Sequence, residues 1–124
     1  MRRGELYWAR LVPRSGSEQR GRRPVVVVSS DGLNDVAAWR SIIVVPVTTS
    51  ARQVRRAPTT VPLSATETGL PQDSFVICHQ ITTLDRSKFE ARIGELSRET
   101  MWQVEAAIAA ACDLSLRGLR GDLP

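Results

Sequence analysis

The residues best suited to chemistry stand together in one polar segment, Gly16–Pro24, which reads GSEQRGRRP. It carries one carboxylate, Glu18, and three guanidinium groups, Arg20, Arg22 and Arg23. A guanidinium is always charged, and its planar fork matches a phosphate group and stacks on nucleobases. The segment is therefore suited to a phosphate-containing ligand, and its carboxylate can either exchange a proton or order the arginines.

The valine run Val25–Val28 predicts the element that positions this segment. β-Branched side chains suit a buried strand. Pro24 has no N–H for a sheet ladder and pushes Arg23 into an extended conformation, so we expect Pro24 to be the first residue of the strand. Arg23 is then fixed at the rim of a rigid element, while Glu18 lies on the loop beside it.

The length of 124 residues is enough for one domain with its own core. We predict a single domain over residues 1–116 and a frayed tail over residues 117–124. The net charge is +4, and sixteen of the seventeen basic residues are arginine. An arginine-rich genome produces the same bias without a functional cause, so the positions of the arginines carry more information than their number.

The sequence favours a cytoplasmic protein. No apolar segment follows the charged start, so we expect no signal peptide, and no uncharged run approaches the ~20 residues of a membrane-spanning helix. Cys78 and Cys112 lie in apolar sequence and are predicted to be buried free thiols. Cysteine and histidine residues do not cluster with the spacing of metal ligands, so we expect neither a metal nor a cofactor.

Hydrophobic patterns predict short strands and a C-terminal helix. The strands are predicted at residues 5–12, 25–30, 41–48, 59–63, 74–79, 80–84 and 89–96. Pro46 argues for an edge or a bulge in the third strand. Ser97 is a good N-cap for a helix whose apolar stripe is Met101, Val104, Ile108 and Ala111. This order indicates a β-rich fold, a small antiparallel barrel or twisted sheet with the helix over one open side.

Four blocks of sequence, in order over almost the full chain, resemble the MazF/PemK family of toxin endoribonucleases. They are RGELYW at 3–8 with GSEQ at 16–19 and RP at 23–24, VPVTT at 45–49, DSFV at 73–76 with QITTLD at 80–85, and IG at 93–94. The resemblance implies an SH3-like antiparallel barrel of the CcdB/PemK type with a C-terminal helix. It also implies a homodimer.

The activity that the resemblance implies is metal-independent, sequence-selective cleavage of single-stranded RNA, usually mRNA. A cognate antitoxin of the MazE type would cover the RNA groove, and the toxin would meet DNA only through that complex. The family's catalytic arginine falls on Arg23, its catalytic threonine on Thr48, and a loop glutamate that some members use on Glu18. The residues predicted to bind RNA are Ser17, Gln19, Arg20, Arg22, Thr49, His79 and Gln80.

Metal-free cleavage uses the 2′-hydroxyl of the RNA as nucleophile and leaves a 2′,3′-cyclic phosphate and a 5′-hydroxyl. Arg23 suits charge stabilisation, with proton donation to the leaving oxygen as a second role, and Thr48 can donate a hydrogen bond to a phosphate oxygen. Glu18 either accepts the 2′-hydroxyl proton or orders the arginines. His79 stands where the family commonly has an acidic residue, and its imidazole is a second candidate base beside a simpler role in packing or RNA contact.

Two other classes of function stay open on the sequence alone. One is a protein-directed poison on the same barrel, like the gyrase-binding CcdB toxins, and the other is a basic nucleic-acid-binding module without chemistry. The three tryptophans do not decide between them. Trp8 and Trp102 are predicted to pack in the core or a dimer interface, and Trp39, which follows a turn, is the best candidate for an exposed ring that stacks on bases.

Overall fold

The computed structural model describes residues 1–12, 21–50 and 58–115, and within them it forms one seven-stranded sheet and three helices. The strands are β1 (Glu5–Leu11), β2 (Gly21–Val27), β3 (Ser41–Thr48), β4 (Thr60–Leu63), β5 (Ser74–Ile77), β6 (Thr82–Asp85) and β7 (Phe89–Glu95). The helices are α1 (Asp31–Asn34), α2 (Ala65–Thr68) and α3 (Arg98–Cys112), with 3₁₀ turns at Cys78–Gln80 and Arg86–Lys88. None of these helices has the length and apolar character needed to cross a membrane.

Strand β3 is the centre of the sheet. Neighbouring strands follow the order β4-β5-β3-β2-β1-β7, and β6 pairs with β3 beside this path. All pairs are antiparallel, and β3 contacts β2 on one side and β6 and β5 in succession on the other. The predicted antiparallel, β-rich fold with a C-terminal helix is confirmed. In the described ranges the sheet stays open between β4 and β7, so it is not a closed barrel.

Both faces of the central strands carry a core, because successive strand residues point to opposite sides of a sheet. One core, on the side that we call the helix face, contains Leu6, Val26, Val45 and Val47 with Met101 and Val104 of α3. The other core, on the side that we call the far face, contains Ala9, Leu11, Val25, Val27, Ile42 and Val44. The valine run is apolar without alternation because both of its faces are buried.

Helix α3 begins where the sequence predicts. The hydroxyl of Ser97 accepts a hydrogen bond from the backbone N–H of Thr100 at 3.1 Å, which caps the first turn. Residues 110–115 are all exposed, so the last turn extends beyond the sheet. The predicted burial of Ala111 and Cys112 is wrong for this reason. Cys78 is fully buried, and its burial raises the pKa of the thiol to about 12.

The two prolines of the central strands lie where pairing is incomplete. The prediction that Pro24 is the first residue of its strand is wrong. Strand β2 begins at Gly21, and Pro24 pairs with Trp8. The β2–β3 ladder covers only Val25–Val27, so at Pro24 the strand is paired on one side, a position where proline is tolerated. Pro46 lies between the segments of β3 that pair with β6 and β5, which agrees with the predicted irregularity.

Glu5 is a buried carboxylate that ties β1 to β7 and to the N-terminus. It accepts hydrogen bonds from Nε of Arg92, from the backbone N–H of Arg2, and from the hydroxyl of Tyr7 at 3.0 Å. Burial alone raises the pKa of this carboxyl, but the hydrogen bonds outweigh burial and hold its pKa below the ordinary value of 4.5.

A pH-dependent stability follows from this lowered pKa. The contribution of Glu5 to the free energy of unfolding is complete above the ordinary pKa and is lost as the pH falls through the lowered one. We expect Glu5→Gln to cost about 2 kcal/mol near neutral pH, because three donors lose a charged acceptor. Urea unfolding of both proteins from neutral to acidic pH should show this cost shrink below about pH 4.

The matched control is Glu95→Gln, since the side chain of Glu95 is 72% exposed and only touches the same Arg92 at 3.7 Å. We expect this variant to stay within about 0.5 kcal/mol of the wild type at every pH. A cost of Glu5→Gln that is unchanged by acid would contradict the assigned role of the carboxylate.

Candidate active site

Arg23 and Thr48 lie on neighbouring strands, each two residues beyond the last pair of the ladder. That ladder ends at the pair Val25 and Pro46, and its register continued by two residues sets Arg23 opposite Thr48. Arg23 alternates with the far-face residue Val25, and Thr48 alternates with Val44 through Pro46, so both side chains belong to the far face. The fold thus places the two predicted catalytic residues on the same face, at the end of the β2–β3 ladder.

The surroundings of Arg23 suit a charge that is fixed and still accessible. It pairs on the other side with Ala9 of β1, which is fully buried and contributes only a methyl group. Arg23 itself is half-buried. The pairing with β1 holds Arg23 to the sheet, and on the other side the β2–β3 ladder has already ended at Val25 and Pro46.

Thr48 is only 5% exposed, and its hydroxyl has a defined orientation. Its Oγ1 accepts a hydrogen bond from the backbone N–H of Ser50 at 3.2 Å. An accepted hydrogen bond polarises the hydroxyl and makes its own O–H a better donor toward a ligand oxygen. Thr49, the neighbouring candidate, follows the end of β3 and is exposed.

The sequence predicts His79 and Gln80 on strands, but they lie in the 3₁₀ turn Cys78–Gln80. The prediction is wrong because β5 covers only the end of β3 and β6 covers its beginning, so the chain must turn between them. Nδ1 of His79 lies 2.9 Å from Oγ1 of Thr59, which orients the imidazole. His79 and Gln80 are both half-buried.

Arg22 points to the side opposite Arg23. Its neighbours in register belong to the helix face, and the centre of its guanidinium lies 4.1 Å from the centroid of the Trp8 ring. Its Nε donates to Oε1 of Glu90 at 2.7 Å. Arg22 and Arg23 are neighbours in the polar segment of the sequence, but both belong to β2, where adjacent residues point to opposite faces.

The sequence gives no signal for the contact of Arg22 with Glu90, because the two residues are 68 positions apart. The expected exposure of Trp39 is confirmed, since it is 46% exposed, and its stacking on bases stays a prediction. Trp102 is 65% exposed and therefore is not part of the core of this chain, and its place in a dimer interface stays a prediction. Trp8 is half-buried under Arg22.

Four of the predicted site residues, Ser17, Glu18, Gln19 and Arg20, lie outside the described residues, as do residues 117–124 of the predicted tail. Across the described ranges, no three His, Cys, Asp or Glu side chains are grouped so that they could hold a metal ion.

A groove of about 900 Å³ runs between the first turns of α3 and the strands β4 and β5. The charged residues that line it are Glu67, Asp73 and Glu99. Carboxylates repel phosphate, so this groove is not suited to a nucleic acid.

The fold and the site define a small β-rich protein in which an arginine and a threonine on one face of the sheet suit phosphodiester chemistry. The chain belongs to the family of PemK-like, MazF-like toxins of type II toxin–antitoxin systems, whose family model matches residues 2–112. The resemblance found in the four blocks of sequence is thereby confirmed.

Relatives of known name are similar over nearly their whole length. The chain is 38% identical over 112 residues to endoribonuclease MazF6 of Mycobacterium tuberculosis, covering 90% of this chain and 96% of the relative. It is 35% identical over 116 residues to endoribonuclease MazF of Staphylococcus saprophyticus, covering 94% and 91%.

Solved structures show the same fold. The M. tuberculosis toxin MazF-mt6 superimposes with a TM-score of 0.74 at 26% identity, covering 90% of this chain and 98% of that one. A mycobacterial endoribonuclease in complex with its cognate antitoxin superimposes with a TM-score of 0.73 at 27% identity, covering 93% and 97%.

Proposed function

We propose that this endoribonuclease toxin cleaves single-stranded RNA without a metal, by attack of a 2′-hydroxyl on the adjacent phosphorus. The proposal is supported by the β2–β3 register, which, continued two residues past Val25 and Pro46, directs Arg23 and Thr48 to the far face. A permanent cation and an oriented hydroxyl donor are then on both sides of one position, which is what a phosphorane needs. The products are a 2′,3′-cyclic phosphate and a 5′-hydroxyl.

The proposed reaction gives each of these side chains a defined task. The 2′-oxygen forms a bond to phosphorus while the bond from phosphorus to the 5′-oxygen breaks. Arg23 neutralises the charge that develops on the non-bridging oxygens, and Thr48 donates a hydrogen bond to one of them. We assign the proton of the 2′-hydroxyl to Glu18. Arg23 donates a hydrogen bond to the leaving 5′-oxygen, which takes its proton from water, and Glu18 returns its proton to water, so both side chains end in their starting state. The role of Glu18 stays a prediction from the sequence.

The test is an incubation of the purified protein with single-stranded RNA in a chelator of divalent cations. We expect cleavage at discrete sites, with 5′ ends that polynucleotide kinase labels directly and 3′ ends that can be ligated or extended only after the cyclic phosphate has been removed. Intact RNA of diverse sequence after this incubation would refute the proposal, and product that forms only when a divalent cation is restored would refute the mechanism.

A substitution at Thr48 tests the hydroxyl separately from the fold. We expect Thr48→Val, which keeps the shape of the side chain, to lower kcat about a hundredfold, because one donor to the phosphorane is lost. Thr48→Ser keeps the donor and should retain most activity. The control Thr83→Val alters an exposed threonine of β6 and should leave kcat unchanged. A Thr48→Val enzyme as fast as the wild type would contradict the assigned role.

We further propose that the toxin acts in the cytoplasm as a homodimer, and that a cognate antitoxin of the MazE type neutralises it. The support is that a mycobacterial relative was solved with its cognate antitoxin, and that MazF of Deinococcus radiodurans was solved with MazE. Thr49, His79 and Gln80 are proposed to contact RNA near the far face. Co-expression with a neighbouring small open reading frame should restore the growth of cells that the toxin alone arrests.

A further inference from the structure

A second cluster of chemistry-bearing side chains lies on the helix face, which the proposed reaction leaves unused. Trp8 and Arg10 of β1, Arg22 of β2 and Glu90 of β7 share this face, because Arg10 and Arg22 are opposite each other in the ladder. The guanidinium of Arg22 lies 4.1 Å above the Trp8 ring, and Glu90 accepts from its Nε at 2.7 Å. The second oxygen of Glu90 lies 3.8 Å from Nε of Arg10.

These contacts hold the Arg22 guanidinium in place. Trp8 lies against it, and Glu90 holds the edge that carries Nε. The Arg22 side chain is nevertheless 49% exposed, so a large part of it is accessible to a ligand. An arginine held in this way has already lost much of the side-chain freedom that binding would otherwise remove.

The charge of the cluster favours a base over a phosphate as its ligand. Glu90 partly neutralises both Arg22 and Arg10, and its carboxylate repels a phosphate placed near the same edge. A nucleobase has no charge, and it stacks on the plane of an arginine as it does on an aromatic ring. Unpaired bases of single-stranded RNA are free to make this contact.

We propose that Arg22 is a stacking shelf for an unpaired RNA base close to the cleaved bond, with Trp8 and Glu90 as positioning residues. The proposal rests on the proposed ribonuclease function, and it makes the prediction that Arg22 binds RNA more specific. Arg22 and Arg23 are consecutive residues of β2 and lie beyond its last pair with β3. In the proposal, an RNA strand with its cleaved phosphate at Arg23 passes around this edge of β2, which brings a flanking nucleotide to the helix face.

The experiment begins with the mapped cleavage site. A short RNA that spans it is made uncleavable by a 2′-deoxy substitution at the attacking nucleotide, and single abasic nucleotides are then placed along it. We expect one abasic position to weaken binding to the wild type about tenfold. Arg22→Lys keeps the charge and loses the plane, so it should weaken binding to the intact RNA about tenfold and remove the sensitivity to that abasic position.

Two further variants separate stacking from charge and from fold. Arg10→Lys changes an arginine that shares Glu90 but is not in contact with the Trp8 ring, and it should bind every RNA of the series as the wild type does. Glu90→Gln should reduce the loss of binding that the abasic nucleotide causes, at the same position where Arg22→Lys removes it. A general loss of stability would not act at one position of the RNA. On cleavable RNA, Arg22→Lys should raise KM and leave kcat unchanged.

Three outcomes overturn the shelf. One is an Arg22→Lys protein with unchanged sensitivity to abasic substitution. Another is an Arg22→Ala protein whose slope of log K against log salt concentration falls by about one, with an equal loss of binding to every RNA of the abasic series. This result indicates a phosphate contact. In both cases the wild type still cuts RNA, so the proposed function stands. The third is a wild type that neither binds nor cuts RNA, which refutes the function and the shelf together.

Discussion

Arg23→Ala is expected to lower kcat/KM for RNA cleavage about a thousandfold, since it removes the positive charge nearest the phosphorane in the proposed site. Substrate binding should change far less than kcat, because charge on the non-bridging oxygens grows in the transition state. Arg23→Lys should recover only part of the loss. A lysine keeps the charge but cannot offer two parallel N–H donors to one phosphate group.

The control for this experiment is Arg98→Ala, which removes an exposed arginine at the first residue of α3 and should leave kcat/KM unchanged. Melting temperatures of the three variants should agree with that of the wild type within a few degrees. The catalytic assignment fails if a folded Arg23→Ala protein retains the wild-type rate. It also fails if Arg98→Ala lowers the rate equally, since net charge alone would then explain the loss.

Gly94→Ala adds one methyl group to the chain and should destabilise the fold strongly. A Cβ atom at Gly94 would overlap the backbone carbonyl oxygen of Thr68, at the end of α2. Gly69 makes the same approach from the other side: its φ is +84°, and a Cβ there would lie 2.9 Å from the carbonyl oxygen of Ile93. Backbone therefore meets backbone between α2 and β7, and neither side can yield cheaply.

We expect Gly94→Ala to lower the free energy of unfolding by about 3 kcal/mol, the upper range for overpacking. Urea denaturation measures the change. The matched control is Gly32→Ala in α1, where an added Cβ has Ser30 Oγ as its nearest neighbour at 3.7 Å. This variant should be neutral or slightly stabilising, because alanine loses less backbone entropy on folding than glycine. Equal midpoints for Gly94→Ala and the wild type would contradict the close approach.

The position of Gly94 also explains one block of the sequence resemblance in physical terms. The dipeptide Ile93-Gly94 sits on an edge strand, where α2 packs against it without a side chain between. From the sequence alone, this glycine marks only the end of a strand. Its purpose depends on α2, which is about 25 residues earlier in the chain.

The sequence predicted correctly those strands and helices whose ends are set by residues close by in the chain. The third strand is predicted at residues 41–48 and observed as Ser41–Thr48, because its apolar run is bounded by polar residues. Ser97 caps α3 as predicted, since the N-cap hydrogen bond spans only three residues. The predictions at Pro24 and His79 are wrong because the pairing of distant strands sets their positions. The prediction at Cys112 is wrong because the end of α3 extends beyond the sheet.

The sequence by itself determined that the chain is β-rich, that it ends in a helix capped by Ser97, and that it resembles a toxin family whose catalytic pair falls on Arg23 and Thr48. These conclusions need only local periodicity, capping chemistry and ordered blocks of residues. The tertiary structure decided which side chains share a face. The β2–β3 register directs Arg23 and Thr48 to one face, and strand alternation separates Arg22 from Arg23 and places it on Trp8 beside Glu90. Register between distant strands depends on the packing of the whole sheet, so no local signal encodes it.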